Sequence, residues 1–520
     1  MATIIKRVDS YSSDETLLGT GGRHDERQLG ETEVSYFLPS RESGVNDMYL
    51  HLGFRAPPGI MKLSRVSLVW TILRLRHPLL ASKVEMRDYN DIKFVHPGPE
   101  SATDALASAN ANLEYRSQSK DELIDSYLNG PRTLSNERLS YLVISQQPTA
   151  GESQTTETQN FDLLLCATHF LGDGMALHQF ANDFFTLLGS ERAEESLQTM
   201  LAEEWYSRWG STKSKDDVSC LPSSLEDRLP PVEGGRFRRA ASRVEFENSQ
   251  AKLIGGQSFP RRSGSPRKTV VPTVSLDPER TKSILKKCKT QNVSISAALF
   301  AVVNLAWAKT CDVNWELPMM MYSALNLRPI LTASKASNDS YWFIAIGYFN
   351  VILPTYIPKS GLKQDIEKIF WHRARAAKSQ STRAAKHPML VSRSLEMARE
   401  RGQRARGWAR EDDEKASGTW KAPPPPPTSK LTASKPPSAA LIGLSLLGNL
   451  DGVYKHPTFP KIELHTLTTG SRQRAGGMLL FGYTFVGKLW ISLGYDEAGF
   501  DDTVERFWEN VLTTVDTILV

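Results

Sequence analysis

Cysteine is scarce in this sequence. There are four in 520 residues, namely Cys166, Cys220, Cys288 and Cys311. No two stand at CxxC spacing, and none of His77, His178 and His465 has metal-ligand spacing with a cysteine or with a second histidine. That excludes a disulfide framework and a structural zinc site; no bound metal is expected, and a reducing compartment is the simpler reading. Long apolar runs are missing too. The longest, such as AALFAVV at 297–303, fall well short of the ~20 residues that a membrane-spanning helix needs. The opening MATIIKRVDSYSSDE lacks the apolar centre of a signal peptide. A cytoplasmic protein with no membrane partner is the expectation. Charge of one sign is equally absent: 63 Lys and Arg against 58 Asp and Glu leave a net charge of +5. Short basic runs, RFRR at 236–239 and PRRSGSPRK at 260–268, read as solvated loops. With no nucleic-acid motif beside them, no nucleic-acid partner is expected. No repeat of solenoid period is visible.

What is present is ordinary globular material, 40% hydrophobic and 23% charged, in a chain long enough for sizeable cores. Residues 1–33 are polar and rich in turn formers, and read as a flexible N-terminus. A first lobe spans 34–206. Within it VSLVWTILRLR predicts a helix ending before Pro78, IKFVHP a strand, and LSYLVISQ and FDLLLCAT two more strands. The last is apolar almost throughout, so both of its faces should be covered. Residues 207–268, rich in Ser, Pro, Gly and charge, read as a crossover linker. A second lobe spans 269–520. It opens on VVPTVSLD as one strand, followed by PERTKSILKKCKTQ as a helix with Pro at its start. VSISAALFAVVNLAWAKT is a buried helix capped by Ser294 or Ser296. MMMYSALNLRP reads as a strand and turn, and YWFIAIGYFNVILPTYI as a strand pair or one bent strand. Residues 401–439, charged and then proline-rich, read as a flexible insertion. AALIGLSLLGNLD and GGMLLFGYTFVGKLWISLGYD supply the last strands before a closing helix. The coarse order of strand and helix recurs in the two halves, so the expected fold is α/β with two similar lobes.

The chemistry gathers at HFLGDG, residues 169–174. It follows the apolar strand directly and precedes MALHQFANDFFTLLG, whose apolar spacing predicts a helix ended by Gly189. Asp173 stands where an N-cap belongs. A neutral imidazole held at a strand end can take a proton from an alcohol attacking a carbonyl. A packed core histidine is the other reading of the same residue, as it is for His77, His178 and His465. Trp342, Phe343, Tyr348 and Phe349 either line an apolar acceptor pocket or pack the core.

HFLGDG resembles the HxxxDG motif of the CoA-dependent acyltransferases with the chloramphenicol acetyltransferase-like fold. WTILRLRHPLL, NLRP at 326–329, IGYFNVILP at 346–354 and LSLLGNLD at 444–451 resemble other pieces of that superfamily in the same order. FWHRARAAKSQ and the chain length are most similar to the fungal trichothecene 15-O-acetyltransferase group. The resemblance implies two lobes of mixed sheet and helix with an active-site tunnel at their interface. It also implies acetyl transfer from acetyl-CoA, as co-substrate, to a hydroxyl of a secondary metabolite, a sesquiterpenoid attacked at C-15. His169 is then the general base, Asp173 the structural support of the motif, and Arg328 the partner of Asp173 from the second lobe. Ser445 is a candidate oxyanion donor, the residues contacting CoA are unassigned, and a monomer is expected. Two departures count. Thr168 stands where condensation domains carry a second histidine, which weakens the rival reading of a free-standing condensation-type enzyme using a carrier-bound acyl group. The plant-type DFGWG is absent, so plant-like CoA contacts do not transfer. A non-catalytic binding protein on the same fold is the third reading.

Overall fold

The computed structural model describes residues 24–146, 157–210, 219–232, 235–262, 266–311, 314–332, 340–358, 361–422 and 438–520. The first half supplies strands β1 (His24–Gln28), β2 (Met48–Ala56), β3 (Lys83–Met86), β4 (Ile92–Pro97), β5 (Leu113–Arg116), β6 (Ser140–Ser145) and β7 (Gln159–Ala167). The second supplies β8 (Thr269–Val270), β9 (Thr273–Leu276), β10 (Met319–Asn326), β11 (Ile346–Leu353), β12 (Ile442–Asn449), β13 (Glu463–Ser471), β14 (Met478–Phe485) and β15 (Lys488–Asp496). Three sheets result, in the orders β1-β4-β3, β13-β2-β7-β6-β5 and β11-β10-β12-β14-β15-β8, with β9 also on β15. The two large sheets are mixed: β5 runs parallel to β6, and β12 runs parallel to both β10 and β14. Each has its own hydrophobic core, one gathered around Trp70, Phe180 and Trp342, the other around Phe300, Trp307 and Phe507.

The apolar text of β7 is explained by cores on both of its faces, Leu163, Leu165 and Ala167 in one and Leu164 and Cys166 in the other. It pairs with β2 on one side and β6 on the other, and Leu163 to Ala167 are all buried. The helix Leu63–Arg76 ends before Pro78, and Ser294 caps the helix Ile295–Thr310 by accepting from the Ala297 N–H. VVPTVSLD is broken into β8 and β9 around Pro272, which has no N–H for a ladder. In YWFIAIGYFNVILPTYI only Ile346–Leu353 is a strand. The preceding Trp342–Ala345 is a buried loop.

Three segment expectations are corrected. Residues 1–33 are not loose throughout: from His24 the chain forms β1, paired with β4, and then the helix Glu31–Ser40, whose Glu33 is fully buried and bound to Arg27 at 2.7 Å. Residues 1–23 lie outside the described residues. The segment 207–268 holds the helix Gly235–Ala251, docked through Arg393 Nε to Glu245 at 2.9 Å. The charged part of 401–439 belongs to a helix, Leu390–Ala416. Ala398, Gly402, Ala405 and Ala409 recur every three or four residues and form its buried stripe, while Arg404–Glu400 and Lys415–Glu411 pair at i,i+4 along its exposed side. The proline run lies outside the described residues. The boundary at 269 is also crossed: β13, from the second half, is the edge strand of the first half's sheet. No single helix among the described residues is long and apolar enough to cross a membrane.

Candidate active site

The turn after β7 decides where the histidine points. Thr168 N–H donates to the Leu139 carbonyl and Leu171 N–H closes a short 3-10 turn onto the Thr168 carbonyl at 3.1 Å. Phe170 and Leu171 go into the core, Phe170 lying edge-on to Phe37 at 5.3 Å. With its two neighbours anchored inward, His169 is turned out and remains half-buried. Its Nδ1 lies 3.1 Å from the Gly172 carbonyl oxygen. A carbonyl only accepts, so Nδ1 carries the proton and Nε2 keeps its lone pair. Nε2 makes no hydrogen bond among the described residues. The ring is stacked on Tyr36 with centroids 4.3 Å apart. Burial pushes the imidazole below its ordinary value of 6.5; the Gly172 carbonyl and the Asp173 charge oppose this, and the Arg401 charge adds to it. His169 is therefore a neutral base at neutral pH, with one nitrogen pinned and the other free. Gly172 allows the turn to lie flat on Trp342: a Cβ there would stand 3.0 Å from the indole Cε3.

Asp173 faces the other way and is buried at 4% exposure. Its Oδ1 caps the helix Gly174–Leu188 by accepting from the Ala176 N–H at 3.1 Å. Its Oδ2 accepts from the Ala345 N–H at 3.0 Å. Arg328, in the turn after β10, donates from Nη2 to both oxygens at 3.1 and 3.0 Å, and to the Phe343 carbonyl at 2.9 Å. The guanidinium lies over the Phe343 ring, with Cζ 4.5 Å from its centroid. The carboxylate has three kinds of donor, from its own helix, from the loop before β11 and from the turn after β10. Asp173 thus ties the motif turn of one half to two segments of the other, and holds the backbone that aims His169. It does not contact the imidazole.

The structure brings together His169, Asp173 and Arg328 at the junction of the halves. Of the aromatic candidates, Tyr348 lies on the His169 side, its hydroxyl hydrogen-bonded to that of Tyr36. Trp342 is core, against Phe180 at 5.9 Å, and Phe349 packs towards Phe300. Phe343 is the shelf under Arg328. Ser445 is half-buried on β12. Gly443, two residues before it, faces the Tyr322 ring, so the pleat sets Ser445 on that same side. Its hydroxyl makes no hydrogen bond among the described residues. Two participants were missed in the sequence: Tyr36, read only as the start of globular text, and Arg401, read as part of a loose insertion. The three-four spacing of Ala398, Gly402, Ala405 and Ala409 was the available signal for the helix that carries Arg401.

His77, His178 and His465 are each held by a neighbouring hydroxyl. His77 Nδ1 bonds Ser340 Oγ at 2.9 Å, His178 Nδ1 bonds the Tyr454 hydroxyl at 2.9 Å, and His465 Nδ1 bonds Thr466 Oγ1 at 2.9 Å. No group of three or more His, Cys, Asp or Glu is assembled for a metal among the described residues. Burial holds His77 and His178 down to about 3, against an ordinary value of 6.5. Each is depressed on folding, so each contributes stability that is full above about 6.5 and lost as pH falls towards 3. The expected slope is about 1.4 kcal/mol per pH unit for each histidine in that window. Urea unfolding at pH 7, 6 and 5 measures it, and the double variant H77Q/H178Q should show a distinctly shallower loss.

No protein-family model and no curated protein sequence matches the chain. Solved structures do. A trichothecene 15-O-acetyltransferase from Fusarium sporotrichioides superposes with a TM-score of 0.72 over 96% of this chain and 97% of that one, at 15% identity. This chain has the two-lobe chloramphenicol acetyltransferase-like fold. The epimerization domain from the third module of tyrocidine synthetase B matches with a TM-score of 0.56, at 13% identity over 96% of this chain and 98% of that one. The first condensation domain of the CDA synthetase does so with a TM-score of 0.56, at 11% identity over 96% and 97%. At these identities the likeness extends to the fold. Within that fold, the motif turn carrying His169 and the ion pair behind it lie at the meeting of the two lobes.

Proposed function

We propose that the protein is a CoA-dependent O-acetyltransferase that acetylates a hydroxyl of a secondary metabolite, a trichothecene-like sesquiterpenoid at C-15. The observation that carries this reading is the state of His169: neutral, with Nδ1–H held by the Gly172 carbonyl and Nε2 free at the interlobe junction. The likeness to a sesquiterpenoid acetyltransferase over nearly the whole chain supports the choice of acceptor class. Nε2 takes the proton of the acceptor hydroxyl as its oxygen attacks the thioester carbonyl of acetyl-CoA. The C–O bond forms, the carbonyl becomes a tetrahedral oxyanion, and collapse breaks the C–S bond. The departing CoA thiolate receives the proton back from the imidazolium. Proton transfer of this kind contributes roughly 10²–10⁴-fold, and holding two substrates in line supplies much of the rest. Asp173 and Arg328 act on geometry, by fixing the turn.

The test is acetyl transfer from labelled acetyl-CoA to a panel of hydroxylated sesquiterpenoids. An acetate ester of one acceptor is the expected product. Product formed only from a carrier-bound acyl donor would replace this reading with the condensation-type one, against which Thr168 stands. Absence of product from either donor would leave a binding protein.

A further inference from the structure

The helix Leu390–Ala416 carries six arginines. Four of them have carboxylate partners: Arg393 with Glu245, Arg399 with Glu396, Arg404 with Glu400 and Arg406 with Glu31. Arg410 is exposed, over the Tyr89 ring. Arg401 alone turns inward without an anion. Its Cζ lies 4.5 Å from the centroid of Tyr348 and 5.4 Å from that of Tyr36, the residue stacked on His169. Its Nε is shut off from water and has no hydrogen-bond partner. No ion pair or hydrogen bond of its guanidinium exists among the described residues. Its nearest acidic neighbour in sequence, Glu400, is turned to Arg404.

A half-buried guanidinium with N–H groups left over has given up hydration that two aromatic faces restore only in part. Beside it, the hydroxyls of Tyr36 and Tyr348 bond to each other. That contact uses one hydroxyl proton and leaves the second to donate outward. Burial raises Tyr36, so it stays protonated. Tyr322, 6.3 Å from Tyr348 and 37% exposed, borders the corner on the solvent side. The corner offers several donors, one fixed positive charge and no acceptor of matching charge. A planar guanidinium fork suits two oxygens of one oxyanion.

We propose that Arg401, with the linked hydroxyls of Tyr36 and Tyr348, is a receptor for a carboxylate or phosphate group of a substrate, and holds that substrate beside His169. Which substrate carries the group rests on the acetyl-transfer reading; the receptor itself does not. An acceptor bearing a carboxylic acid and the phosphates of CoA both present the required oxygens.

Isothermal titration of the parent and of R401M, R401K and Y348F separates the possibilities without turnover. The probes are free CoA, inorganic phosphate, and hydroxylated terpenoid acids paired with their methyl esters. Loss of a charge-assisted pair should weaken the anionic probe roughly 10- to 100-fold in R401M, with R401K between. Weakened acids with unchanged esters and CoA assign the group to the acceptor. Weakened CoA and phosphate with unchanged acids assign it to the donor. In either case R401M should unfold at an equal or higher temperature without ligand, since an unpaired charge has been removed from a half-buried site. Binding of every probe at parental affinity by a folded R401M overturns the proposal, as does a fall in the ligand-free unfolding temperature with no loss of anion affinity. Anion binding that survives while no acetyl transfer is found would sink the acetyltransferase reading and leave the receptor standing.

Discussion

Replacing His169 by glutamine is expected to lower kcat/KM by roughly 10²–10⁴-fold, with the fold intact. Glutamine fills similar space and can still donate to the Gly172 carbonyl, so the turn survives while the basic Nε2 is gone. The loss should fall on kcat, since the imidazole acts as the proton moves and contributes little to holding either substrate. In the parent protein, protonation of Nε2 is expected to end the proposed activity. Burial sets the imidazole below 6.5, so the acid limb of the kcat/KM profile should lie below that pH. The variant's residual activity should lack that limb. Parental rates for H169Q, or a limb that persists in it, would remove His169 as the base.

Arg328→Ala should be the most damaging change to stability at the site, costing about 3–5 kcal/mol, because Asp173 is left buried with a negative charge and no cation. The N–H groups of Ala176 and Ala345 still donate to it, which puts the expected cost towards the lower end. Activity should fall with it, through a displaced turn. The paired variant D173N/R328M removes both charges and should recover much of the stability in urea unfolding, so that the two sites are strongly non-additive. It should not recover activity, because the tie across the junction is what sets the His169 backbone. An R328A protein as active as the parent would show that the ion pair does not aim the histidine.

The motif was legible because its parts are local. An apolar strand, a glycine-containing turn, a capping aspartate and an amphipathic helix occupy 159–188, and each follows from spacing over a few residues. Arg328 entered through a resemblance, since nothing within its own turn reveals a carboxylate 155 positions away. Tyr36 and Arg401 were out of reach for another reason. Their role depends on two helices, Glu31–Ser40 and Leu390–Ala416, packing side by side, and the charge-rich text of the second masked its small-residue stripe. Dense Arg and Glu read as a solvated loop unless the period of the alanines is counted first. The division into lobes failed at β13 because sequence order says nothing of which sheet edge a strand will cover.

That strand has a consequence for how the chain is made. Arg55 on β2 reaches Glu463 on β13, 408 positions onward. Until those late residues leave the ribosome, β2 has a naked flank, and the early half of the nascent polypeptide waits with a row of unsatisfied amides. Once β13 docks it acts as a clasp: the halves cannot swing apart like jaws without peeling a strand from its ladder.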